Sequence, residues 1–320
     1  MVGNHRIAAG WEMQVLHGED HEGHPRLMKR KTLLRMQGGD GEGSYSRNSG
    51  MLQGGTLRTI GHNLADEISQ LGTLTEVGPV RVADFGCSSG ANALEWADLC
   101  ASSIVRNYHQ MKSVPAPEIQ HFFSDLPSND FNSLFRELVE SKRPYFAAAA
   151  PGSFHGRLFP QHSIQIAISI WSLHWMSKIP ETVLDASSPA YNKGQVWLDS
   201  RNPSKAAAYS QVARHDLLSF FTHRACELEP GGIVSMMCMS RGEHEKPELQ
   251  CSDEFQEANP GGGLLEQSWE ELIAEGVISP KELDTFNIPV YHLSIEEIKE
   301  AIDQTSAFEI KQLEVRRDHL

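Results

Sequence analysis

The sequence predicts a doubly wound α/β fold, on three observations. Short apolar runs alternate with amphipathic helical patterns along most of the chain. A glycine loop joins the first apolar run to the first helix, and 320 residues suffice for a full core plus a smaller subdomain.

The elements follow in order. Arg81-Val-Ala-Asp-Phe-Gly86 is a short apolar strand ending in glycine. After it, Leu94, Ala97, Ala101, Ile104, Val105 and Tyr108 recur at i, i+3 and i+4 spacing, which predicts a helix. Glu118 to Ser124 reads as a second strand and Phe131 to Val139 as a second helix. Tyr145 to Ala150 and Ile164 to Ile170 are buried strands. Pro203 to Leu228 is a long helix, closed by Pro230-Gly-Gly232 before a strand from Ile233 to Cys238. Phe308 to Val315 reads as a sixth strand. Strands separated by helices imply parallel βαβ units.

Two insertions, at about 180–196 and 251–307, hold Gly- and Pro-rich turns around helical patches at Ser268 to Ala274 and Ser294 to Ile302. They predict a mostly helical cap over the carboxyl ends of the strands, where an open α/β sheet binds its ligand. Residues 1–31, rich in His, Gly and charge, read as a disordered tail, leaving 32–320 as the folded domain. His17, His21 and His24 within that tail read as solvated rather than metal-bound.

Composition narrows the partners. Lys and Arg number 28 against 42 Asp and Glu, a net charge of −14 that disfavours nucleic acid and anionic membranes. An acidic substrate would therefore have to be attracted by a local site. Cys87, Cys100, Cys226, Cys238 and Cys251 form no CxxC or zinc pattern. Their odd number and the lack of an N-terminal apolar leader point to a reduced, cytoplasmic protein. No run approaches the roughly 20 apolar residues of a membrane span.

The loop Asp84-Phe-Gly86-Cys-Ser-Ser-Gly90 carries the first chemical signal. Its glycines sit four apart, with an acid two residues before the first, which is not the G-x-G-x-x-G of a dinucleotide fold. A plain strand-to-helix turn is one reading. The other is a cofactor loop, where the acid suits an ammonium and a sulfonium better than a pyrophosphate, favouring S-adenosylmethionine over NAD. Asp125 ends the second strand, where such folds place an acid for ribose hydroxyls; a turn-capping role fits its position equally well.

With these residues placed, the chain resembles the SABATH family of plant-type carboxyl methyltransferases, which methylate salicylate, benzoate and jasmonate, with some relatives acting on nitrogen. The matching segments are MQGGDGEGSYSRNS (36–49), VADFGCSSGANAL (82–94), FFSDLPSNDFNSLF (122–135), PGSFHGRLFP (151–160), SLHWMSKIPE (172–181), YNKG (191–194), EPGGIV (229–234) and FNIPVY (286–291). The resemblance implies a Rossmann-like class I methyltransferase sheet and an S-adenosyl-L-methionine cofactor. It implies that Tyr45, Asp84, Cys87 and Asn92 line the methionine side of the cofactor, with Gly86 and Ser88 also binding it. Asp125 would take the ribose, Leu126 the adenine, and Ser153 and Phe154 would complete the adenosine site. His174 and Trp175 would contact the substrate, with Gln53 beside them. A magnesium site is implied at Asn192, Asp284, the Phe286 carbonyl and Asn287, whose oxygen ligands suit Mg2+. A homodimer is implied as well.

Physical chemistry agrees with the substrate assignment. The Trp175 indole and a His174 nitrogen offer two donors, and charge-assisted bonds to a carboxylate are worth about 1.5–3 kcal/mol each. A carboxylate with a pKa near about 4 is already ionised, so no general base is needed and none is expected. The enzyme has to align the oxygen about 3–3.5 Å from the methyl carbon for in-line transfer, an effect worth roughly 7–11 kcal/mol. The expected reaction is O-methylation of a small, aromatic acid.

The chain departs from the family pattern in three places. Gln37 stands where the family has lysine, and the family's glutamine after NS falls at Leu52, so Gln53 requires a one-residue slip. The chain also stops at Leu320, which suggests a short member lacking the family's C-terminal segment. Three other readings remain. An N-methyltransferase would want fewer carboxylate donors than His174 and Trp175 provide. A cofactor-binding protein without turnover fits the short C-terminus. A nicotinamide oxidoreductase lacks its glycine fingerprint.

Overall fold

The computed structural model describes residues 50–71, 74, 78–111, 115–139, 142–199, 201–242, 246–248 and 260–315. The expected tail at 1–31 and Tyr45 lie outside these residues. The sheet comprises β1 (Val80–Phe85), β2 (Ile119–Asp125), β3 (Phe146–Pro151), β4 (Ile164–Ile170) and β5 (Leu228–Met237), in the order β3-β2-β1-β4-β5. Every neighbouring pair is parallel, so all carboxyl ends share one edge. The order reverses at β1, and an open α/β sheet binds its ligand outside such a switch point.

Helices cover both faces, which is why all seven positions of β4 are buried. On one face lie α1 (Gly50–Gln70) and α2 (Ala91–Gln110), packed through Leu64, Ile68, Ala97, Ile104 and Tyr108 against Val80 and Val82. On the other lies α5 (Pro203–Glu227), packed through Tyr209, Leu217 and Phe220 against Ala83 and Phe85. The two-residue alternation within β1 thus feeds two separate cores. Helix α3 (Phe131–Val139) follows β2, as its periodicity predicts. Helix α1 begins at Gly50-Met-Leu-Gln-Gly-Gly, whose glycines hide it from a propensity reading.

The two insertions, for which the name cap is kept, contain α4 (Glu181–Leu184), α6 (Pro260–Ala274), α7 (Pro280–Thr285) and α8 (Ile295–Thr305). Helices α7 and α8 each start with a capping box, Ser279 with Glu282 and Ser294 with Glu297. Between them, residues 286–293 cross the carboxyl edge of the sheet. Val290 bridges Trp175 after β4, and Leu293 bridges Ser240 after β5. Glu297 anchors that crossing by accepting from Arg241 at 2.8 Å and from the Tyr291 hydroxyl at 2.9 Å. No helix of the described residues is long and apolar enough to cross a membrane.

Two expectations about strands are corrected. Strand β5 starts at Leu228 rather than Ile233: Leu228 pairs with Ile164, Ile166 pairs with Ile233, and residues 229–232 bulge out between them. The Pro-Gly-Gly sequence marks that bulge, because a proline cannot donate to the ladder. Residues 307–315 form neither strand nor helix. A strand needs a hydrogen-bonded neighbour, and among the described residues β5 pairs only with β4. The segment docks by side chains instead, with Phe308 edge-on to Phe221 at 5.7 Å and Leu313 against the same core.

The bulge leaves no space at Gly232, where an added Cβ would lie 2.8 Å from the Gln165 carbonyl oxygen and 3.0 Å from that of Glu229. Gly232→Ala is expected to destabilise the fold by about 1–3 kcal/mol through overpacking against backbone that cannot give way. Urea denaturation checks this; wild-type stability would show that the bulge relaxes freely.

Candidate active site

The carboxyl ends of β1 and β2 meet in a loop held by backbone hydrogen bonds. The Gly86 and Cys87 amides donate to the Ser124 carbonyl at 2.7 and 3.1 Å. Gly86 has φ +85°, and a Cβ there would fall 2.3 Å from the Ser172 hydroxyl oxygen. That hydroxyl donates to the Gly86 carbonyl at 3.0 Å, tying the turn after β4 to the loop after β1. Ser88 is left-handed at φ 58°, and its amide donates to Asp125 Oδ2 at 2.7 Å. The Leu126 amide donates to Asp125 Oδ1 at 2.7 Å, and Asn129 Nδ2 donates to the Ser88 carbonyl at 2.8 Å. Asp125 therefore has the turn-capping role that its position alone suggested. The Gly152 amide reaches the Asp125 carbonyl at 2.8 Å, bringing the end of β3 alongside.

The charge in this loop is unbalanced. Asp84 is 3% exposed, and burial followed by the negative charge of Asp125 pushes its carboxyl pKa up to about 8. Among the described residues, no cation contributes to that shift. Burial, with the same two acids, also pushes the Cys87 thiol well above its usual range. The hydroxyl oxygens of Ser88, Ser89 and Ser124 are buried with no hydrogen-bond partner among the described residues. An uncompensated acid among orphaned hydroxyls is a poor structural element and a good receptor for a cationic, hydrogen-bonding ligand. These residues fit S-adenosylmethionine. Asn92 lies in the first turn of α2, whose N-cap is Gly90 at φ 98°.

The segment 151–160 is placed by a buried pair that sequence reasoning missed. Arg224 is 0% exposed, with its guanidinium carbon 4.1 Å from the centre of the Phe85 ring. Its Nη1 and Nη2 donate to the Phe154 and Gly156 carbonyls at 2.8 and 2.9 Å, and its Nε donates to Glu227 Oε2 at 2.8 Å. Glu227 Oε1 in turn accepts from the Leu158 and Phe159 amides at 2.5 and 3.0 Å. This brings the Phe154 ring against Gly86, 3.5 Å from where a Cβ would stand. An Arg and a Glu three apart at a helix end look like an ordinary surface pair, so only the fold reveals their role.

His174 and Trp175 follow β4 in a turn opened by Trp171 at φ 58°. The Trp175 amide donates to the Ser172 carbonyl at 3.0 Å, and the Trp175 carbonyl accepts from His155 Nε2 at 3.1 Å. The cap grips the same turn, with the Tyr291 amide on the His174 carbonyl at 2.9 Å and the Met176 amide on the Pro289 carbonyl at 2.8 Å. The turn is thus bonded to the Gly86 loop through Ser172. Burial, and secondarily His292, lowers the His174 pKa to about 3, so its ring is neutral at physiological pH. The Met239 amide donates to His174 Nδ1 at 3.4 Å, which leaves the proton on Nε2. Gln53 falls within α1.

Three of the implied magnesium residues, Asn192, Phe286 and Asn287, have their oxygens engaged by other groups. Asn192 is fully buried and donates from Nδ2 to the Phe286 carbonyl at 2.7 Å and the Leu283 carbonyl at 3.2 Å. Its Oδ1 accepts from Lys205 Nζ at 2.8 Å. Asn287 Oδ1 accepts from the Tyr209 hydroxyl at 3.5 Å. Oxygens already engaged by N–H and O–H donors, with an ammonium beside them, do not fit a divalent cation.

A family model described as SAM dependent carboxyl methyltransferase matches residues 31–319. Indole-3-acetate O-methyltransferase 1 of Oryza sativa subsp. japonica is 36% identical over 92% of this chain and 76% of its own length. Gibberellic acid methyltransferase 2 of Arabidopsis thaliana is 33% identical over 88% of this chain and 74% of its own. Among solved structures, a loganic acid methyltransferase with SAH superposes with a TM-score of 0.78 at 32% identity, covering 87% of this chain and 77% of that one.

Arg224→Met would strand the Glu227 carboxylate in the core, and the expected loss is about 3–5 kcal/mol of stability. Replacing both residues with methionine removes the stranded charge and should cost less than the single change, read by guanidinium unfolding. A double variant weaker than the single one would show that the pair is not acting as a unit.

Proposed function

We propose a specific reaction for this chain, which belongs to the SAM dependent carboxyl methyltransferase family: formation of the methyl ester of a small, aromatic carboxylic acid. One observation carries the reading. The His174–Trp175 turn is hydrogen-bonded through Ser172 onto the loop that begins with Asp84 and Gly86. Donors for an anionic acceptor and an acid for a cationic donor group are therefore parts of one rigid unit.

S-adenosylmethionine, when bound, supplies a methyl group activated by a sulfonium. In this reading Asp84 faces the amino group of its methionine portion, with Cys87 and Asn92 beside it. Asp125 keeps lone pairs for ribose hydroxyls while holding the Ser88 and Leu126 amides, and Ser153 and Phe154 flank the adenosine. His174 stays neutral, so it offers an Nε2–H without a charge of its own, and the Trp175 indole N–H is the second donor. The acid is ionised before it binds, and no residue has to remove a proton. An aromatic acceptor is favoured because indole-3-acetate names a relative at 36% identity. A net charge of −14 favours a small molecule over nucleic acid as partner. The described cysteines, Cys87, Cys100, Cys226 and Cys238, are free thiols, in keeping with a reducing compartment such as the cytoplasm.

Incubation with S-adenosylmethionine and a panel of aromatic acids is expected to yield methyl esters by mass spectrometry. No ester from any acid, in a folded sample that binds the cofactor, overturns the reading. Trp175→Ala should weaken acid binding roughly tenfold to hundredfold and leave cofactor binding nearly intact, as calorimetry would show.

Asp84 supplies a pH signature. Its carboxyl is protonated in the free chain below about pH 8 and must ionise to hold an ammonium. Cofactor affinity should therefore rise with pH up to that value, by at most about tenfold per unit, with proton release on binding. Calorimetry in buffers of different ionisation enthalpy reads that release, and Asp84→Asn should abolish it. A pH-independent affinity in the wild type would remove Asp84 from this role.

A further inference from the structure

We propose that the Lys205 ammonium takes, in this chain, the place of a divalent cation between the 192–195 loop and the end of α7, so that this corner of the cap is built around a tethered cation and needs no metal.

Lys205 sits in the first turn of α5, where its amide donates to Asn202 Oδ1, the helix N-cap, at 3.0 Å. The residue is 1% exposed, a rare burial for lysine. Its Nζ donates to Asn192 Oδ1 at 2.8 Å and to the Gln195 carbonyl at 3.4 Å, and lies 5.9 Å from the centre of the Tyr209 ring. Asn192 passes the connection on through its Nδ2, to the Phe286 and Leu283 carbonyls. The amide can take only one orientation here. Turned over, it would set its NH2 group against an ammonium and its oxygen against two carbonyl oxygens.

The result is a relay from α5 through Asn192 to α7, made of groups that a metal would otherwise gather. Asn192 Oδ1 and the Phe286 oxygen are both engaged in it. A divalent ion would have to displace these bonds and lie next to a buried positive charge, which a low-dielectric surrounding makes strongly unfavourable. An ammonium provides donors in several directions with a single charge, and its tether removes the need to capture an ion from solution. The chain running from Phe286 to Val290 then continues to Trp175, so the relay also supports the segment that meets the acceptor turn. This role does not depend on the identity of the acceptor.

The test uses the full chain and magnesium chloride alone. The wild-type melting temperature is expected to be the same in millimolar magnesium as in chelator, and titration calorimetry should show no binding heat. Lys205→Met should melt roughly 3–8 °C lower, because Asn192 Oδ1 is left buried without a donor. Lys205→Gln, which keeps an N–H donor without the charge, should fall between the two. A magnesium-dependent rise in the wild-type melting temperature that is lost in Asn192→Ala would overturn the proposal. So would a Lys205→Met protein as stable in chelator as the wild type. If Lys205→Met does not fold, the wild-type titration decides: single-site heat refutes the tethered cation, and its absence supports it.

Discussion

The approach of the Gly86 backbone to Ser172 is the contact on which the rest of the site depends. A side chain at Gly86 would occupy the volume of the serine hydroxyl, so the two loops can touch only because that atom is missing. The hydroxyl then fixes their separation by bonding to the Gly86 carbonyl. Because β1 and β4 are neighbours at the switch point, this one junction joins the two halves of the sheet where the chain direction of winding reverses. Asp84 lies on β1, Phe154 follows β3, and His174 and Trp175 follow β4, yet all are close to that junction.

Buried charge is handled in two contrasting ways. Arg224 and Glu227 neutralise each other and direct their remaining hydrogen-bonding capacity at the backbone of 154–159, so they stiffen a loop and leave nothing for a ligand. Glu297 behaves likewise, with Arg241 at 2.8 Å. Among the described residues Asp84 has another acid, Asp125, as its charged neighbour, and burial with that charge raises its carboxyl pKa to about 8. Burial alone would not separate structural charges from receptive ones; the presence or absence of a partner does.

Strong periodicity made much of the fold legible. Phe131–Val139 and Ile164–Ile170 have the limits expected from pattern, because one is bounded by an Asx turn at Asp130 and the other is apolar at nearly every position. The weak points are those where local signals conflict with tertiary packing. Glycines obscure α1, although Leu64 and Ile68 bury it firmly. Pro230 suggested a boundary and is part of a bulge. Phe308 to Val315 has strand-like composition but no ladder to join among the described residues. At the site, the expectations for the glycine loop and Asp125 came from position, and those for His174 and Trp175 from family resemblance. Arg224 and Lys205 were not legible, since nothing in a helical sequence tells which basic residue points inward.

The two sides of the site are fastened to different scaffolding. The Asp84–Asp125 side is locked into the sheet through Ser88, Ser124 and Gly152, whereas the His174–Trp175 side is shared with residues 289–293 of the cap. In the proposed assignment of roles, change in the cap would reshape which acid is accepted while the half that faces the cofactor stays untouched. A lineage built this way can diversify its products by drift in one insertion, and relatives that share a reaction but differ in acceptor are the natural outcome of such an arrangement.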